Sequence, residues 1–257
     1  MIQIKNAKEL DGMRRANALS AAALKYGGEH IEAGMTTWEL DKLIYDFIIK
    51  HGGKPNFKGL YGFPGSACIS LNDTVIHGIP SHDVVIRPGD IISIDTGAKV
   101  DGFNGDNACT YACGKIDLEA QRLLDVTKEA LHLGIAQAVA GNRIGDIGHA
   151  VQSYCEAAGF SVVRDFVGHG TGKELHEDPE VPNYGNPGRG PRLVPGMTIA
   201  IEPMICQYDY KIKTLSDGWT VKTRDGGLAA HFEHSVAILK DHTEVMTRGW
   251  EDPDFTL

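Results

Sequence analysis

The stretch RPGDIISID, residues 87–95, recurs in similar form as VPGMTIAIE at residues 194–202. Each copy has Pro-Gly at its second and third positions, continues as a run rich in β-branched residues and ends on a carboxylate, Asp95 or Glu202. Such runs are typical of buried strands. An ionised carboxylate without a partner is very costly inside a protein core. Two acids in matched settings therefore call for one common explanation.

The same spacing relates the regions before these strands. Subtracting 95 from 202 gives 107, and this offset also aligns three further pairs: Gly27 with Gly134, Ala33-Gly34 with Ala140-Gly141, and Gly52 with Gly159. An internal repeat of this kind indicates that the fold contains two similar structural units. We predict one α+β domain over residues 1–257, built from two similar halves at about 7–112 and 117–239. The repeat would bring Asp95 and Glu202 to equivalent places near a pseudo-twofold axis.

Each half is predicted to begin with two helices and to continue as strands. The helices are expected at about 7–26, 37–51, 117–139 and 144–157. The second of these opens with Thr36-x-x-Glu39, a capping box that satisfies free N–H groups at a helix start. Alternating or β-branched runs predict strands at 66–72, 84–95, 107–112, 198–206, 208–214, 219–223 and 231–239.

Composition excludes several classes of protein. A chain of 257 residues with 42% hydrophobic residues can bury a sizeable core. No stretch reaches the ~18 apolar residues of a membrane span, and the N-terminus lacks signal-peptide features, so we expect a cytoplasmic protein. The net charge of -9 argues against nucleic-acid recognition. Five scattered cysteines indicate reduced thiols, and the single C-x3-C of Cys109 and Cys113 is weak evidence for zinc.

Further acids and histidines lie on predicted strands or strand ends: Asp106, Glu233, His77, His169 and His176. Four carboxylates with imidazole form a mainly oxygen-donor set, which suits two divalent first-row ions such as Mn, Fe or Co better than a structural zinc. Asp95 and Asp106 taken singly could instead be Asx-turn residues, and the whole set could be a salt-bridge cluster. The other histidines are interpreted as ordinary surface or satisfied side chains: His30, His51, His82, His132, His149, His231, His234 and His242.

The segment GHGTGK at 168–173 does not fit a nucleotide-binding loop. A phosphate loop needs Gly five residues before the Gly-Lys pair and Ser or Thr after it, but Val167 and Glu174 occupy those places. The dinucleotide pattern needs Gly where Lys173 stands. We expect these glycines to let the backbone bend tightly around His169.

The ligand-type residues and their surroundings together resemble the methionine aminopeptidases, within the dinuclear pita-bread metallopeptidases. The resemblance rests on the ordered set Asp95, Asp106, His169, Glu202 and Glu233 and on the segments GFPGSACISLNDTVIHGIP, GHGTGKELHEDP and AIEPM. It covers nearly the whole chain and is most specific to the short bacterial type I form. Prolidase and aminopeptidase P usually carry a large N-terminal domain, and type II enzymes an insertion, for which this chain has no room. The implied fold has two α/β halves around a central antiparallel sheet with outer helices.

The resemblance also implies roles for these residues. Asp95 would hold one metal ion, His169 and Glu202 the other, and Asp106 and Glu233 would bridge both. Glu202 is similar to the family's general base, whereas His77 and His176 resemble the pair that contacts the scissile amide. The implied cofactors are two divalent ions per chain, whether Co, Mn, Fe or Zn.

The presumed methionine pocket departs from the family pattern in places. Its wall would be Leu60, Phe63, Cys68, Leu175 and Trp219, with Leu60 and Leu175 where aromatic residues are often found and Phe63 where Tyr is common. Gly97 stands where some members have Thr. The wall stays apolar, so we expect methionine specificity to survive.

The expected reaction is removal of the initiator methionine from nascent polypeptides, with a preference for a small second residue. The sequence leaves two alternatives open, an X-Pro aminopeptidase and a non-catalytic module that binds peptides. We expect a monomer without nucleic-acid or membrane partners, and a contact with the ribosome stays open.

Overall fold

The computed structural model describes residues 1–257 and contains four α-helices and fifteen strands. The helices are α1 (Ala7–Glu29), α2 (Thr37–Lys50), α3 (Leu118–Gln137) and α4 (Ile144–Ala157). The strands of the first half are β1 (Lys54–Pro55), β2 (Ala67–Leu71), β3 (Thr74–Ile76), β4 (Ile91–Val100) and β5 (Phe103–Ala112). Those of the second half are β6 (Ser161–Val162), β7 (Gly168–Gly170), β8 (Glu177–Val181), β9 (Thr198–Ile201), β10 (Met204–Cys206), β11 (Ile212–Thr214), β12 (Val221–Thr223), β13 (Ala229–His231), β14 (Glu233–Ile238) and β15 (Thr243–Val245). Short 3-10 helices span Leu60–Gly62 and Arg248–Trp250. The predicted α+β class is confirmed.

One large antiparallel sheet draws strands from both halves of the chain. Its nine strands follow the order β1-β4-β5-β14-β9-β7-β8, with β2 paired to β4 and β15 paired to β14. Two smaller sheets, β13-β10-β6 and β11-β12-β3, lie beside it. Helix α1 packs on β4 and β5, and α3 packs on α4. The buried faces of helices and sheet form one continuous core, which includes Leu24, Ile44, Ile94, Leu131 and Ile201. None of the helices combines the length and the apolar character needed to span a bilayer.

Local signals explain where the helices begin. Asn6 caps α1 by accepting from the backbone N–H groups of Lys8 and Glu9 at 3.0 and 3.1 Å. The predicted capping box of α2 is confirmed, because Thr36 Oγ1 accepts from Glu39 N at 3.2 Å and Thr36 N donates to Glu39 Oε2 at 2.7 Å. Satisfying these free N–H groups stabilises each helix start.

The offset of 107 residues recurs in the positions of the elements. Helix α2 spans residues 37–50 and α4 spans 144–157, while β4 starts at Ile91 and β9 at Thr198. The turns before these strands also match, because Gly89 and Gly196 have φ angles of +94° and +93°. Only glycine adopts such angles without strain, so the Pro-Gly turn enters each strand in the same way.

Several strand predictions were too long. Residues 84–90 were predicted as strand, but the chain is irregular there until Ile91, with one isolated bridge from Val85 to Thr36, because the turn at Pro88 and Gly89 interrupts the run. The predicted strand 198–206 divides at Pro203, which lacks the N–H group that a ladder needs. The predicted strand 231–239 divides at Phe232, where the chain passes from one sheet to another. Strand 208–214 shortens to Ile212–Thr214.

Candidate active site

All twelve residues singled out from the sequence line one cavity of about 560 Å³. Five neighbouring strands of the large sheet supply the candidate metal ligands. In sheet order, β4 carries Asp95, β5 carries Asp106, β14 begins with Glu233, β9 is followed directly by Glu202, and β7 carries His169. The other seven members of the cavity wall are His77, His176, Leu60, Phe63, Cys68, Leu175 and Trp219. The antiparallel register thus brings together side chains that are up to 138 positions apart, from Asp95 to Glu233.

The acids and the imidazole of His169 form a tight cluster at the floor of the cavity. One ligand atom each from Asp106, His169 and Glu233 lie within 4.8 Å of one another. His169 Nε2 is 3.5 Å from Asp106 Oδ2 and 3.6 Å from Glu202 Oε1. Asp106 and Glu233 are only 3% and 2% exposed. The cluster therefore concentrates acidic side chains where water is largely excluded.

Several carboxylate oxygens in this cluster have no hydrogen-bond partner. Asp95 Oδ1, Asp106 Oδ1 and Glu233 Oε1 are buried and unpaired. Burial, reinforced by repulsion from Asp106 and Glu202, raises the pKa of Asp95 well above its usual range. The pKa of Glu233 is raised by burial and by the neighbouring acids in the same way. Buried charges persist when they are paired or coordinate a metal, so these oxygens fit a divalent cation.

His169 is oriented for ligation. Its Nδ1 is 2.8 Å from the carbonyl oxygen of Gly170, which assigns the proton to Nδ1 and leaves Nε2 facing the acids. A hydrogen bond from the other ring nitrogen is the usual support of a metal-binding histidine. Burial opposes protonation of this imidazole, but the contact with Asp106 and the charge of Glu202 outweigh it and raise its pKa to about 9.

His77 and His176 lie at the side of the cluster. His77 follows β3 with a φ of +57°, an uncommon backbone conformation that concentrates at functional sites. Its ring packs edge-on against Phe166 and Trp219, and burial lowers its pKa to about 4. The ring of His176 lies 4.5 Å from that of His169, and burial and this neighbour lower the pKa of His176. Both imidazoles are therefore disposed to stay neutral and to donate hydrogen bonds.

An apolar compartment adjoins the acids. Phe57, Phe63, Cys68 and Leu175 form a buried cluster, against which Leu60, Ile79 and Trp219 pack. The rings of Phe63 and Trp219 meet edge to face at 5.1 Å. A compartment of this kind accommodates an unbranched apolar side chain. The departures at Leu60, Phe63 and Leu175 leave the wall apolar, as expected.

The departure at Gly97 has a steric explanation. A Cβ at this position would lie 2.3 Å from Asn56 Oδ1 and 2.6 Å from the carbonyl oxygen of Gly105. Asn56 donates its amide to that same carbonyl at 3.0 Å. Its side chain therefore occupies the space that a threonine side chain would need beside Asp95.

Sequence reasoning missed several residues of the cavity. Phe57, Tyr61, Ile76 and Phe166 also line it, and no periodic pattern marked them in advance. The interpretation of His231 as an ordinary satisfied histidine is wrong, because it is 1% exposed and neither ring nitrogen has a hydrogen-bond partner. The signal available was its place two residues before Glu233 in a buried run. His234 is also buried, but its ring nitrogens contact Thr247 and Glu251, so it is satisfied.

The chain is similar to known metallopeptidases in both sequence and structure. The sequence profile of metallopeptidase family M24 matches residues 11–240. The methionine aminopeptidase of Clostridium perfringens is 52% identical over 247 residues, which cover 96% of this chain and 99% of that protein. Methionine aminopeptidase 1 of Bacillus subtilis is 48% identical over 248 residues, covering 96% of this chain and 100% of the relative. The crystal structure of methionine aminopeptidase from Thermotoga maritima matches with a TM-score of 0.94 at 43% identity and covers 96% of this chain and 99% of that chain.

Prolidases match less closely. The prolidase of Pyrococcus horikoshii has a TM-score of 0.76 at 22% identity, and the match covers 95% of this chain but 63% of the prolidase. At this identity the likeness concerns the fold alone.

Proposed function

Because this chain belongs to metallopeptidase family M24, we propose that it is a methionine aminopeptidase that removes the initiator methionine from polypeptides. One observation carries the proposal: an apolar compartment and a cluster of buried carboxylates with unpaired oxygens share one cavity. The high identity to methionine aminopeptidases over almost their whole length supports the same activity. Family membership also implies the use of divalent metal.

We propose two divalent ions per chain, drawn from Co, Mn, Fe and Zn. Asp95 would hold one ion, His169 and Glu202 the other, and Asp106 and Glu233 would serve both. Four carboxylates in a buried cluster make two cations a better charge match than one. When bound, such ions polarise the substrate carbonyl and lower the pKa of water.

The chain's own residues would then carry the hydrolysis. Glu202, whose side chain is 13% exposed at the cavity floor, accepts the proton of the attacking water and passes it to the leaving amine. His77 and His176 donate hydrogen bonds to the scissile amide and to the oxygen that gains negative charge. Donors fixed in advance at such a position stabilise the transition state without reorganisation.

The apolar wall would select the first residue of the substrate. Leu60, Phe63, Cys68, Leu175 and Trp219 contact the methionine side chain and keep water from it. A charged first residue would lose its hydration there without gaining a partner. The resemblance to the methionine aminopeptidases implies that the second side chain points towards a confined entrance of the metal site, so we propose that Gly, Ala and Ser are favoured over Lys, Glu and Leu.

We further propose that residues 1–257 act as a single catalytic domain, because the ligand strands come from both halves of the chain. Polypeptide N-termini are the proposed substrates and the cytoplasm the proposed compartment, with the protein acting as a monomer. A ribosome contact would bring the site to its substrates.

Peptide hydrolysis tests this function. Metal-free protein is reconstituted with each divalent ion in turn and supplied with Met-Ala-Ser, Met-Lys-Ser, Leu-Ala-Ser and an Ala-Pro peptide, and kcat/KM is measured. Release of methionine from Met-Ala-Ser well above all other substrates is expected. Faster cleavage of the Ala-Pro peptide would assign the chain to the X-Pro peptidases, and no cleavage with any ion would favour a non-catalytic module.

A further inference from the structure

His231 carries a buried imidazole next to the acid cluster. Its side chain is 2% exposed, and both Nδ1 and Nε2 lack a hydrogen-bond partner. A buried polar group left unpaired destabilises a fold, so an apolar residue would serve the core better at this position. The imidazole therefore needs an explanation from the site rather than from packing.

The backbone of His231 is held firmly in place. Thr110 Oγ1 accepts from His231 N and donates to the carbonyl oxygen of His231, both at 2.9 Å. Thr110 belongs to β5, the strand that also carries Asp106. On its other side β13 pairs with β10, where His231 lies opposite Met204, two residues after Glu202. The imidazole is thus fixed relative to two candidate ligands.

Glu202 is the one acidic residue within reach of His231. The distance from His231 Nε2 to Glu202 Oε2 is 3.5 Å, whereas Glu202 Oε1 faces His169 Nε2 at 3.6 Å. The Glu202 carboxylate therefore stands between two imidazoles, one on each oxygen. A carboxylate accepts on both oxygens, and a neutral imidazole donates from one nitrogen.

We propose that His231 is a positioning residue for Glu202. Its Nε2–H donates to Glu202 Oε2 and so leaves Oε1 directed into the cavity beside His169. A shift of a few tenths of an ångström brings the pair to ordinary hydrogen-bond length. The inference rests on the proposed function in one respect, namely that Glu202 is a metal ligand. It goes further in giving that ligand a fixed orientation and in assigning the residue responsible.

Manganese binding to the metal-free protein tests the role. Isothermal titration calorimetry compares wild type with His231→Leu and His231→Gln, because Gln offers an N–H donor at the reach of Nε2 and Leu offers none. Loss of a partner that orients a metal ligand typically weakens affinity by about 10–100-fold. We expect a loss of this size in His231→Leu and near-wild-type affinity in His231→Gln. His149→Leu, at an exposed histidine on α4, is the matched control and should change nothing.

A double-mutant cycle shows whether His231 acts through Glu202. In a Glu202→Gln background, His231→Leu should change Mn²⁺ affinity little, because the carboxylate that it orients is gone. The same loss in both backgrounds would overturn the proposal, since His231 would then act as an independent ligand or by packing. Unchanged affinity of His231→Leu in the wild-type background would also overturn it.

Folding and function are separated by two further measurements. The metal-free His231→Leu protein should unfold at about the wild-type temperature, because losing the unpaired Nδ1 offsets losing the contact with Glu202. If this variant does not fold, His231→Asn, whose amide is too short to reach Glu202, takes its place with the same expected loss of affinity. Mn²⁺ binding needs no substrate, so failure of the methionine aminopeptidase assignment leaves this test intact.

Discussion

Cys68 of β2 and Asp95 of β4 are paired directly opposite each other on neighbouring strands of the large sheet. The first residue belongs to the apolar wall and the second to the acid cluster. Their pairing ties the place where a methionine side chain would sit to the place where the amide would be cleaved. The distance between the two is set by the sheet and not by a flexible loop.

Enlarging Cys68 should therefore affect the pocket and spare the metal centre. In Cys68→Leu the larger side chain fills part of the compartment, while the backbone pairing with Asp95 is retained. One methylene in an apolar pocket is worth about 1–3 kcal/mol of discrimination, so kcat/KM for Met-Ala-Ser should fall by at least about tenfold. Steady-state kinetics and metal analysis check this, with Cys109→Val as a control at a buried core cysteine on the neighbouring strand β5. Unchanged kinetics would remove Cys68 from the wall.

Replacing His77 should slow the reaction without emptying the metal centre. Burial holds the pKa of His77 at about 4, so the imidazole is neutral near pH 7 and acts as a hydrogen-bond donor. Loss of one such donor costs ~10²–10³ in rate. His77→Ala should lower kcat by this factor with wild-type metal content, and His176→Ala should behave similarly. Metal analysis showing an empty centre in His77→Ala would instead make this residue a ligand.

The metal-free protein should be more stable without Asp95. Burial and repulsion raise the pKa of Asp95 in the folded state above its value in the unfolded chain. As pH rises, Asp95 therefore loses its proton in the unfolded chain before it does so in the folded protein. Above about pH 4 this difference lowers the free energy of unfolding. Asp95→Asn has no such titrating group. It should therefore be more stable than wild type by an amount that is absent at low pH and grows towards pH 7.

Thermal unfolding across pH 4–7 checks the Asp95→Asn prediction. The unfolding temperature of Asp95→Asn should exceed that of wild type by about 2–4 °C for each kcal/mol gained in the free energy of unfolding. Saturating Mn²⁺ should reverse the order, because the ion stabilises the wild-type fold by binding it. A metal-free Asp95→Asn protein that unfolds below wild type at pH 7 would mean that Asp95 is paired in the fold.

A buried ion pair anchors the N-terminal segment to the loop that carries His176. Lys5 Nζ lies 2.5 Å from Glu177 Oε2, and the two side chains are 6% and 10% exposed. Removing one partner of a buried pair typically costs about 3–5 kcal/mol, because the other charge stays buried and unpaired. The free energy of unfolding of Lys5→Met should be lower than that of wild type by an amount near the lower end of that range.

Denaturant unfolding measures the Lys5→Met effect. The exposed Lys8→Met is the matched control and should differ little from wild type. A second change, Glu177→Leu, should recover much of the loss because it removes the unpaired charge. Equal stability of Lys5→Met and Lys8→Met would show that the pair contributes nothing.

The sequence predicted those parts of the site that are marked by a pattern of neighbouring residues. Asp95 and Glu202 stand out as acids at the ends of apolar runs, and the turns at Gly89 and Gly196 mark where these runs begin. The predicted bounds of α2, which opens with a capping box, and of α4, its counterpart in the repeat, agree with the structure to within one residue.

Contacts between distant elements left no such signature. The burial of His231 arises because β13 packs against β10 and against Thr110 of β5, and single-strand patterns do not encode that packing. Asn56, which lies 41 positions before Gly97 in the chain, fills the space beside it. The division of the last strands at Pro203 and Phe232 likewise depends on which sheet each part joins.

The most direct test of the account is hydrolysis of Met-Ala-Ser by metal-free protein titrated with Mn²⁺, in wild type and in Asp106→Asn. The substitution keeps the shape of the side chain and removes one charge from the centre of the cluster, where Asp106 Oδ1 is buried and unpaired. Wild type should gain methionine release as Mn²⁺ is added, whereas Asp106→Asn should fold normally and show no measurable turnover. Full activity of Asp106→Asn with normal metal content, or wild-type turnover that is independent of added metal, would contradict the account.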